Sequence, residues 1–228
     1  MIETVDALER VVPARCLHEI LIVIAPASSE ESFAVCRSLE ATRQKVRLLV
    51  QQHTPGLGWA IREGFEAAAG THVLMMGSDR ETDPKAVPVM LDKLVASGAD
   101  IVTANRWVKG AGFSGYNGLK LVLNYIFQQL MRLMFRTPLC DLTFGFRVMP
   151  TAMVKAIRWE HTRHEFLLES ILKPLRLGAR IEQVPVRWEA RTEGESKNEV
   201  LGHARYFKVA AQLMCAGRDR ILLPGASY

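Results

Sequence analysis

The stretch THVLMMGSDRETDP, residues 71–84, decides the fold. An apolar run leads into three carboxylates, Asp79, Glu81 and Asp83. Such a run reads as a strand buried on both faces, and its acidic end then lies at the C-terminal edge of a sheet. Open α/β sheets bind their ligands at that edge. Carboxylates on alternate residues suit a hard divalent cation, Mg²⁺ or Mn²⁺, which in turn holds phosphate oxygens. Asp83 precedes Pro84, the pattern of a helix N-cap with proline at the first helical position, so its reading is helix initiation. For Asp79 and Glu81 helix initiation and cation binding both stand open.

Outward from this stretch the chain alternates strand and helix. Residues 19–25, EILIVIA, form a continuous apolar run with the signature of a buried strand. A helix follows over residues 29–45, with Ser28 or Ser29 as cap and Glu30 and Glu31 in its first turn. Residues 46–51 read as a strand, 53–58 as a turn, and 59–69 as a helix closed by Gly70. After the central strand come a helix over 84–97 closed by Gly98 and a strand over 100–104. This order predicts an α/β fold with a mostly parallel sheet flanked by helices, a single domain over residues 1–228.

Beyond Arg106 the pattern changes. Residues 109–118 form a glycine-rich loop and residues 119–136 a long helix. In that helix Lys120, Asn124, Gln128, Arg132 and Arg136 recur every four residues as one polar stripe, and most other positions are large and apolar. Such a helix is either sandwiched in the core or lies in a bilayer interface. A loop at 141–145, a strand at 146–149, a helix around 165–177, a strand at 181–188 and an amphipathic helix at 201–216 complete the reading.

Composition narrows the function. The chain has 228 residues, 49% of them hydrophobic, and a net charge of +5. The basic excess permits anionic partners, such as nucleotides, lipid phosphates or membrane surfaces. It does not form a basic run with interleaved aromatics, so nucleic acid is not expected. Cys16, Cys36, Cys140 and Cys215 make no CxxC pair and read as reduced thiols of a cytoplasmic protein. The N-terminal residues lack the features of a signal peptide, and no apolar run reaches the roughly 20 residues of a spanning helix. Gly56-Leu57-Gly58 begins a dinucleotide fingerprint, but its third glycine falls at Ile61 and the fingerprint fails.

Four segments taken together are more specific: GLGWAIREGF at 56–65, MMGSDRETDP at 75–84, DLTFGFRVM at 141–149 and VPVRWEARTEGESK at 184–197. In that order and spacing the chain resembles family 2 glycosyltransferases of the GT-A fold, in particular the dolichol-phosphate mannose synthase branch. The resemblance implies an inverting transfer of a sugar from a nucleotide-sugar donor to an acceptor, most readily a polyprenyl phosphate. It implies Mg²⁺ or Mn²⁺ as cofactor, with Asp79 and Glu81 as metal ligands. It makes Asp79 and Asp141 the candidate catalytic residues, Asp141 as a base should the acceptor be a hydroxyl. Pro26, Glu30, Gly58, Arg106, Arg147, Arg191, Ser196 and Lys197 become candidates for binding donor or acceptor phosphate. Arg191 and Lys197 have suitable chemistry, a planar fork and a mobile point charge, and Gly194 allows close backbone approach.

The chain also departs from that pattern. Gly77 replaces the first Asp of the DxD motif, and Pro26-Ala27-Ser28-Ser29-Glu30 replaces PxYNE. A strand ending in Asp-Asp, expected between the first helix and the glycine segment, is missing. These departures imply weak discrimination among nucleobases. They also leave open a catalytically degenerate paralogue that binds another glycosyltransferase. Peripheral contact with the cytoplasmic face of a membrane, through helices 119–136 and 201–216, and a homo-oligomer are further expectations.

Overall fold

Runs of β-branched and apolar residues become strands here because helices cover them from both sides. The computed structural model describes residues 1–79, 81–189 and 203–227. In chain order the elements begin with α1 (Ile2–Val11), β1 (Ile20–Ile24), α2 (Glu30–Thr42), β2 (Val46–Val50), α3 (Leu57–Ala67) and β3 (His72–Met75). They continue with α4 (Ala86–Ser97), β4 (Ile101–Asn105), β5 (Gly112–Ser114), α5 (Gly118–Phe135), β6 (Arg147–Pro150) and α6 (Thr151–Ala156). The last are α7 (Phe166–Leu177), β7 (Ile181–Pro185), β8 (Arg187–Glu189), α8 (His203–Met214) and α9 (Arg218–Ile221).

The caps follow the chemistry of the sequence. Ser29 caps α2 by accepting the Ser32 N–H at 3.2 Å, and α4 ends at Gly98 in the left-handed region, φ 62°. Asp83 accepts the Lys85 N–H at 2.9 Å in a local turn ahead of α4, which begins at Ala86 with Lys85 as its N-cap, so Asp83 is not the cap and Pro84 not the first helical residue that the sequence suggested. The N-terminal helix α1 was not anticipated, although Ile2, Val5 and Leu8 repeat at helical spacing.

The principal sheet has the order β3–β6–β4–β7. β6 is antiparallel to β3 and β4, and β4 is parallel to β7. β3 and β4 therefore end at the same edge at which β6 begins. That edge receives the acidic loop after β3, Arg106 after β4 and the 141–146 loop before β6. A small parallel ribbon, β5–β8, stands beside it, and Thr82 bridges to Trp188.

β1 and β2 form a separate parallel pair in register from Ile20↔Val46 to Ile24↔Val50. Between α2 and the glycine segment the chain forms β2 alone, so the Asp-Asp strand noted as missing has no counterpart there, and among the described residues no ladder joins β1 to β3. The helix pair α1 and α3 spans the two. Val5 of α1 belongs to the core cluster of Ile22 and Ile24, and Leu8 to the cluster against which Leu74 and Met76 pack. Phe65 of α3 and Met75 belong to one core cluster, and Gly64 sits beside Val23.

Helix α5 resolves the two readings of the polar stripe. The middle of the stripe faces inward, with Gln128 fully buried and Asn124 half-buried, whereas Lys120 and Arg136 at its two ends are exposed. Phe127 and Met131 join the core, while Leu119, Val122, Leu123, Ile126 and Leu133 are 50–77% exposed. The core accounts for one apolar face of α5, and a second apolar face points to solvent.

Candidate active site

The acidic loop leaves β3 through Gly77 and Ser78. A Cβ at position 77 would sit 2.9 Å from Asp79 Oδ1, so the glycine is what lets the Asp79 carboxylate fold back toward its own strand. Asp79 Oδ1 accepts the Glu81 N–H at 3.3 Å, and Glu81 Oε2 accepts the Trp188 indole N–H at 3.2 Å. Both carboxylates are half-buried at the C-terminal edge of the sheet. Two hard oxygen donors on one loop fit Mg²⁺ or Mn²⁺, which characteristically takes one or two carboxylates and completes its shell with water and substrate phosphate. Among the described residues no third carboxylate, His or Cys joins them as a ready-made cage.

Arg106 closes the opposite side of the edge. Its Nε donates to Asp141 Oδ2 at 2.7 Å, its Nη2 to Oδ1 at 2.9 Å, and its backbone N–H to Oδ2 at 3.1 Å. The guanidinium lies 4.3 Å from the Phe144 ring centroid. Such a fork is fixed in orientation, and its Nη1 side makes no contact with Asp141. Asp141 is fully buried and gives both oxygens to Arg106. This is the geometry of an anchor that aims a cation. The same carboxylate is the candidate base of the sequence reading, and here both of its oxygens are engaged by Arg106.

The loop carrying Asp141 is pinned by α5 and β7. Gln128 accepts the Leu142 N–H at 2.9 Å and donates to Thr143 Oγ1 at 2.7 Å. Gln183 accepts the Cys140 N–H at 2.9 Å and the Asn105 amide at 2.6 Å. The inward polar stripe of α5 thus exists to hold the DLTFG loop against β4.

Two phosphate-binding expectations are corrected by the structure. Arg147 is fully buried between Met75 and Thr103 of the neighbouring strands, because β6 is an interior strand. Its Nη2 donates to the Phe144 carbonyl, and Nε and Nη1 have no hydrogen-bond partner. Burial lowers its pKa to about 9, against the opposing pull of Asp141. It adds positive charge beneath the edge without touching it. Gly58 is also buried: a Cβ there would come within 2.7 Å of the His161 carbonyl and Thr162. Gly56, at φ 147°, would collide with Thr162 even more closely, so the glycine pair lets α3 dock on the 161–162 backbone.

Pro26 and Glu30 are exposed on the turn after β1 and at the first position of α2. The end of β1, Ile24-Ala25, presents no carboxylate to this edge. Arg191, Ser196 and Lys197 lie outside the described residues. The sequence reading missed an aromatic wall. Trp107 packs on Phe113 and Tyr125, and Tyr116 stands edge-on to Phe113 and Trp188, with centroids 4.7–5.4 Å apart. Phe113 and Tyr116 within the glycine-rich loop were its only signal. A separate cleft of about 400 Å³ is lined by Glu160, His161, Glu165, Arg205, Lys208 and Gln212, and none of the candidate site residues contributes to it.

Residues 3–158 match the family model Glycosyl transferase family 2. The chain belongs to glycosyl transferase family 2. It is 27% identical over 183 residues to an undecaprenyl-phosphate mannosyltransferase of Micrococcus luteus, covering 78% of this chain and 74% of that protein. It is 25% identical over 213 residues to the glycosyltransferase AglD of Haloferax volcanii, covering 87% of this chain and 32% of the relative. A dolichol-phosphate mannosyltransferase of Pyrococcus furiosus is 21% identical over 179 residues, 78% of this chain and 50% of its own. The chain thus spans about a third and half of the length of these last two. Among solved structures, glucosyl-3-phosphoglycerate synthase from Mycobacterium tuberculosis, in complex with Mn²⁺, UDP and phosphoglyceric acid, superposes with a TM-score of 0.69 at 16% identity. That superposition covers 99% of this family 2 chain and 78% of the synthase. The fold is the GT-A fold expected from the four segments.

Proposed function

We propose that the chain transfers a sugar, with inversion, from a nucleotide-sugar donor to a polyprenyl phosphate at the cytoplasmic face of a membrane. One observation carries this reading: the fold brings the Asp79–Glu81 loop and the Asp141-anchored Arg106 to a single sheet edge. The first suits a cation with the donor diphosphate, the second the phosphate of an acceptor. The names of the relatives from Micrococcus luteus and Pyrococcus furiosus support a polyprenyl-phosphate acceptor. The synthase complexes with Mn²⁺ and UDP-glucose support a metal and a nucleotide-sugar.

Asp79 and Glu81 would hold Mg²⁺ or Mn²⁺, which when bound neutralises charge on the departing nucleotide diphosphate. Arg106 orients the acceptor phosphate with the N–H groups that Asp141 leaves over. Asp141 fixes the fork, and Arg147 below adds to the positive potential. A phosphate monoester has its second pKa near about 6, so the nucleophile is already largely anionic at neutral pH and needs no protein base. This agrees with the anchoring geometry of Asp141. The aromatic wall of Trp107, Phe113, Tyr116 and Trp188 offers an apolar, rigid flank beside Arg106.

The outward face of α5 supports membrane contact. Leu119, Val122, Leu123, Ile126 and Leu133 form a continuous exposed stripe, and contiguous apolar surface of this kind marks a protein or membrane contact. Among the described residues no helix is long and apolar enough to cross a membrane. Flotation with anionic vesicles tests the contact: wild type should float at low salt and Ile126→Glu/Leu133→Glu should not.

The test of the main reading is calorimetric. Mn²⁺ and nucleotide-sugar should bind together to wild type, and Asp79→Asn should abolish the metal-dependent part while leaving the melting temperature unchanged. Equal donor affinity in both proteins would remove Asp79 from the site. A second reading, a degenerate paralogue that binds a partner glycosyltransferase, draws on Gly77 in place of a carboxylate. It predicts no metal-dependent donor binding in wild type.

A further inference from the structure

The cleft of about 400 Å³ has no part in the site described above, and every side chain that lines it is polar. One wall is the loop leading into α7, with Glu160, His161 and Glu165, and the other is α8, with Arg205, Lys208 and Gln212. The loop wall is held from behind. Glu169 accepts the Glu160 and His161 N–H groups, and Lys173 Nζ donates to Glu160 Oε2 at 2.9 Å. Glu165 differs from these. It is only 8% exposed, yet its side chain makes no capping bond to α7 and has no hydrogen-bond or ion-pair partner among the described residues. Arg205, Lys208 and Gln212 are exposed and have no such partner either. Their spacing of i, i+3 and i+7 puts them on one face of α8. Opposite charges thus line the two walls, and no ion pair closes across the cleft.

A buried carboxylate without a partner is unfavourable until a cation reaches it. Among the described residues no three carboxylate, His or Cys ligands are placed to hold a metal ion, which leaves an organic cation. No Phe, Tyr or Trp lines the cleft, so the aromatic faces that recognise a quaternary ammonium are lacking. A primary ammonium instead donates hydrogen bonds, which a carboxylate accepts. On the other wall, Arg205 and Lys208 offer a planar fork and a point charge that suit phosphate. In an α-amino acid both charges hang from one carbon, too close together for walls that do not pair directly. We propose that this cleft binds a phosphoethanolamine group, with its ammonium on Glu165 and its phosphodiester on Arg205 and Lys208. Helix α8 indicates the source. Its other flank exposes Phe207 and Met214, and the Phe207 ring stands edge-on to Phe127 of α5 at 5.4 Å. The same helix therefore borders both the cleft and the apolar surface assigned above to membrane contact, and the group is the headgroup of an ethanolamine phospholipid. That source rests on the proposed membrane contact, but the site does not.

The test uses the full chain and two soluble probes, glycerophosphoethanolamine and glycerophosphocholine, which differ only in N-methylation. By calorimetry the first should bind at least about tenfold more tightly, because a site built to accept hydrogen bonds rejects the analogue that cannot donate them. Glu165→Gln should abolish that preference, and Arg205→Ala/Lys208→Ala should weaken both probes. Glu165→Gln should also leave the melting temperature unchanged or raise it, since it removes a buried charge without a partner. A lower melting temperature would show that Glu165 is paired within the folded protein and would overturn the proposal. So would equal affinity for the two probes, or binding of neither. Vesicles then separate the sources. At a fixed content of anionic lipid, wild type should stay bound to higher salt on ethanolamine than on choline phospholipid, and Glu165→Gln should show no difference. A preference among the soluble probes without a difference between the vesicles upholds the site, assigns it to a soluble phosphoethanolamine and counts against the lipid source.

Discussion

Two carboxylates, Asp141 and Glu169, are each completely buried and each paired with a cation, yet their surroundings do opposite things. Around Glu169 the carboxylate and its lysine are both fully engaged, although His161 Nδ1, 3.3 Å from Glu169 Oε2, makes no hydrogen bond. Lys173 Nζ donates to Glu169 at 2.7 Å, to Glu160 at 2.9 Å and to the Arg158 carbonyl, using all three of its protons. Glu169 in turn accepts the backbone N–H groups of Glu160 and His161 at 2.9 and 3.0 Å. This closed set fixes the 158–162 backbone on which Gly56 and Gly58 dock. Around Asp141 two arginines meet one carboxylate, and Arg147 keeps two nitrogens unpartnered. A closed cluster stabilises the fold, whereas a cluster with surplus charge at a sheet edge is arranged for an anion that arrives later.

That contrast can be broken most sharply at Lys173. Lys173→Ala leaves Glu169 buried and uncompensated and should destabilise by about 3–5 kcal/mol, read as a lower denaturation midpoint. Arg106→Lys should lose the bidentate fork and weaken binding of a phosphate acceptor by at least about tenfold, about 1.4 kcal/mol, with a smaller change in stability. Should Lys173→Ala and Arg106→Lys prove equally destabilising, the two clusters do not differ as described. Arg147→Met should be neutral or stabilising by roughly 1–2 kcal/mol at neutral pH, since it removes a buried charge and leaves Asp141 paired with Arg106. The folded pKa of Arg147 is lowered to about 9, so between that pH and its ordinary value the unfolded chain holds the extra proton. Wild-type stability therefore rises with pH in that window, and the advantage of Arg147→Met should shrink above about pH 9.

Acid probes the closed cluster. Burial alone would raise the Glu169 pKa, but His161 and Lys173 outweigh it and hold it below the usual range. A depressed carboxylate contributes stability that is present above its unfolded pKa, about 4.3, and lost as pH falls through the folded value. Urea midpoints for wild type should therefore fall below about pH 4, and those of Glu169→Gln should fall less steeply. The smallest effect is expected at Leu133, where an exposed leucine changed to serine should alter stability by no more than about 0.5 kcal/mol.

Much of this was legible in the chain. Strand and helix order, the start of α2 at its Ser29 cap, the stop of α4 at Gly98, and the acidic loop at the sheet edge follow from apolar runs, caps and glycine stops. The misreadings share a cause. A glycine needed for close approach looks the same whether it faces a ligand or, as at Gly58, another stretch of backbone. An arginine in a strand looks the same until the strand is known to be interior, as β6 is. A helix with two apolar faces does not say which one meets the core. In each case the missing information is which neighbour the topology supplies.

Helix α5 buries Gln128 and turns Leu119, Leu123 and Leu133 outward, which inverts the usual relation between solubility and function. Directed evolution of this protein for high soluble expression would converge on Val122, Ile126 and Leu133, because these positions tolerate polar residues without loss of fold. Variants selected in that way would be easier to purify and concentrate. They would also have been selected, unknowingly, against the surface that the proposed function assigns to membrane contact.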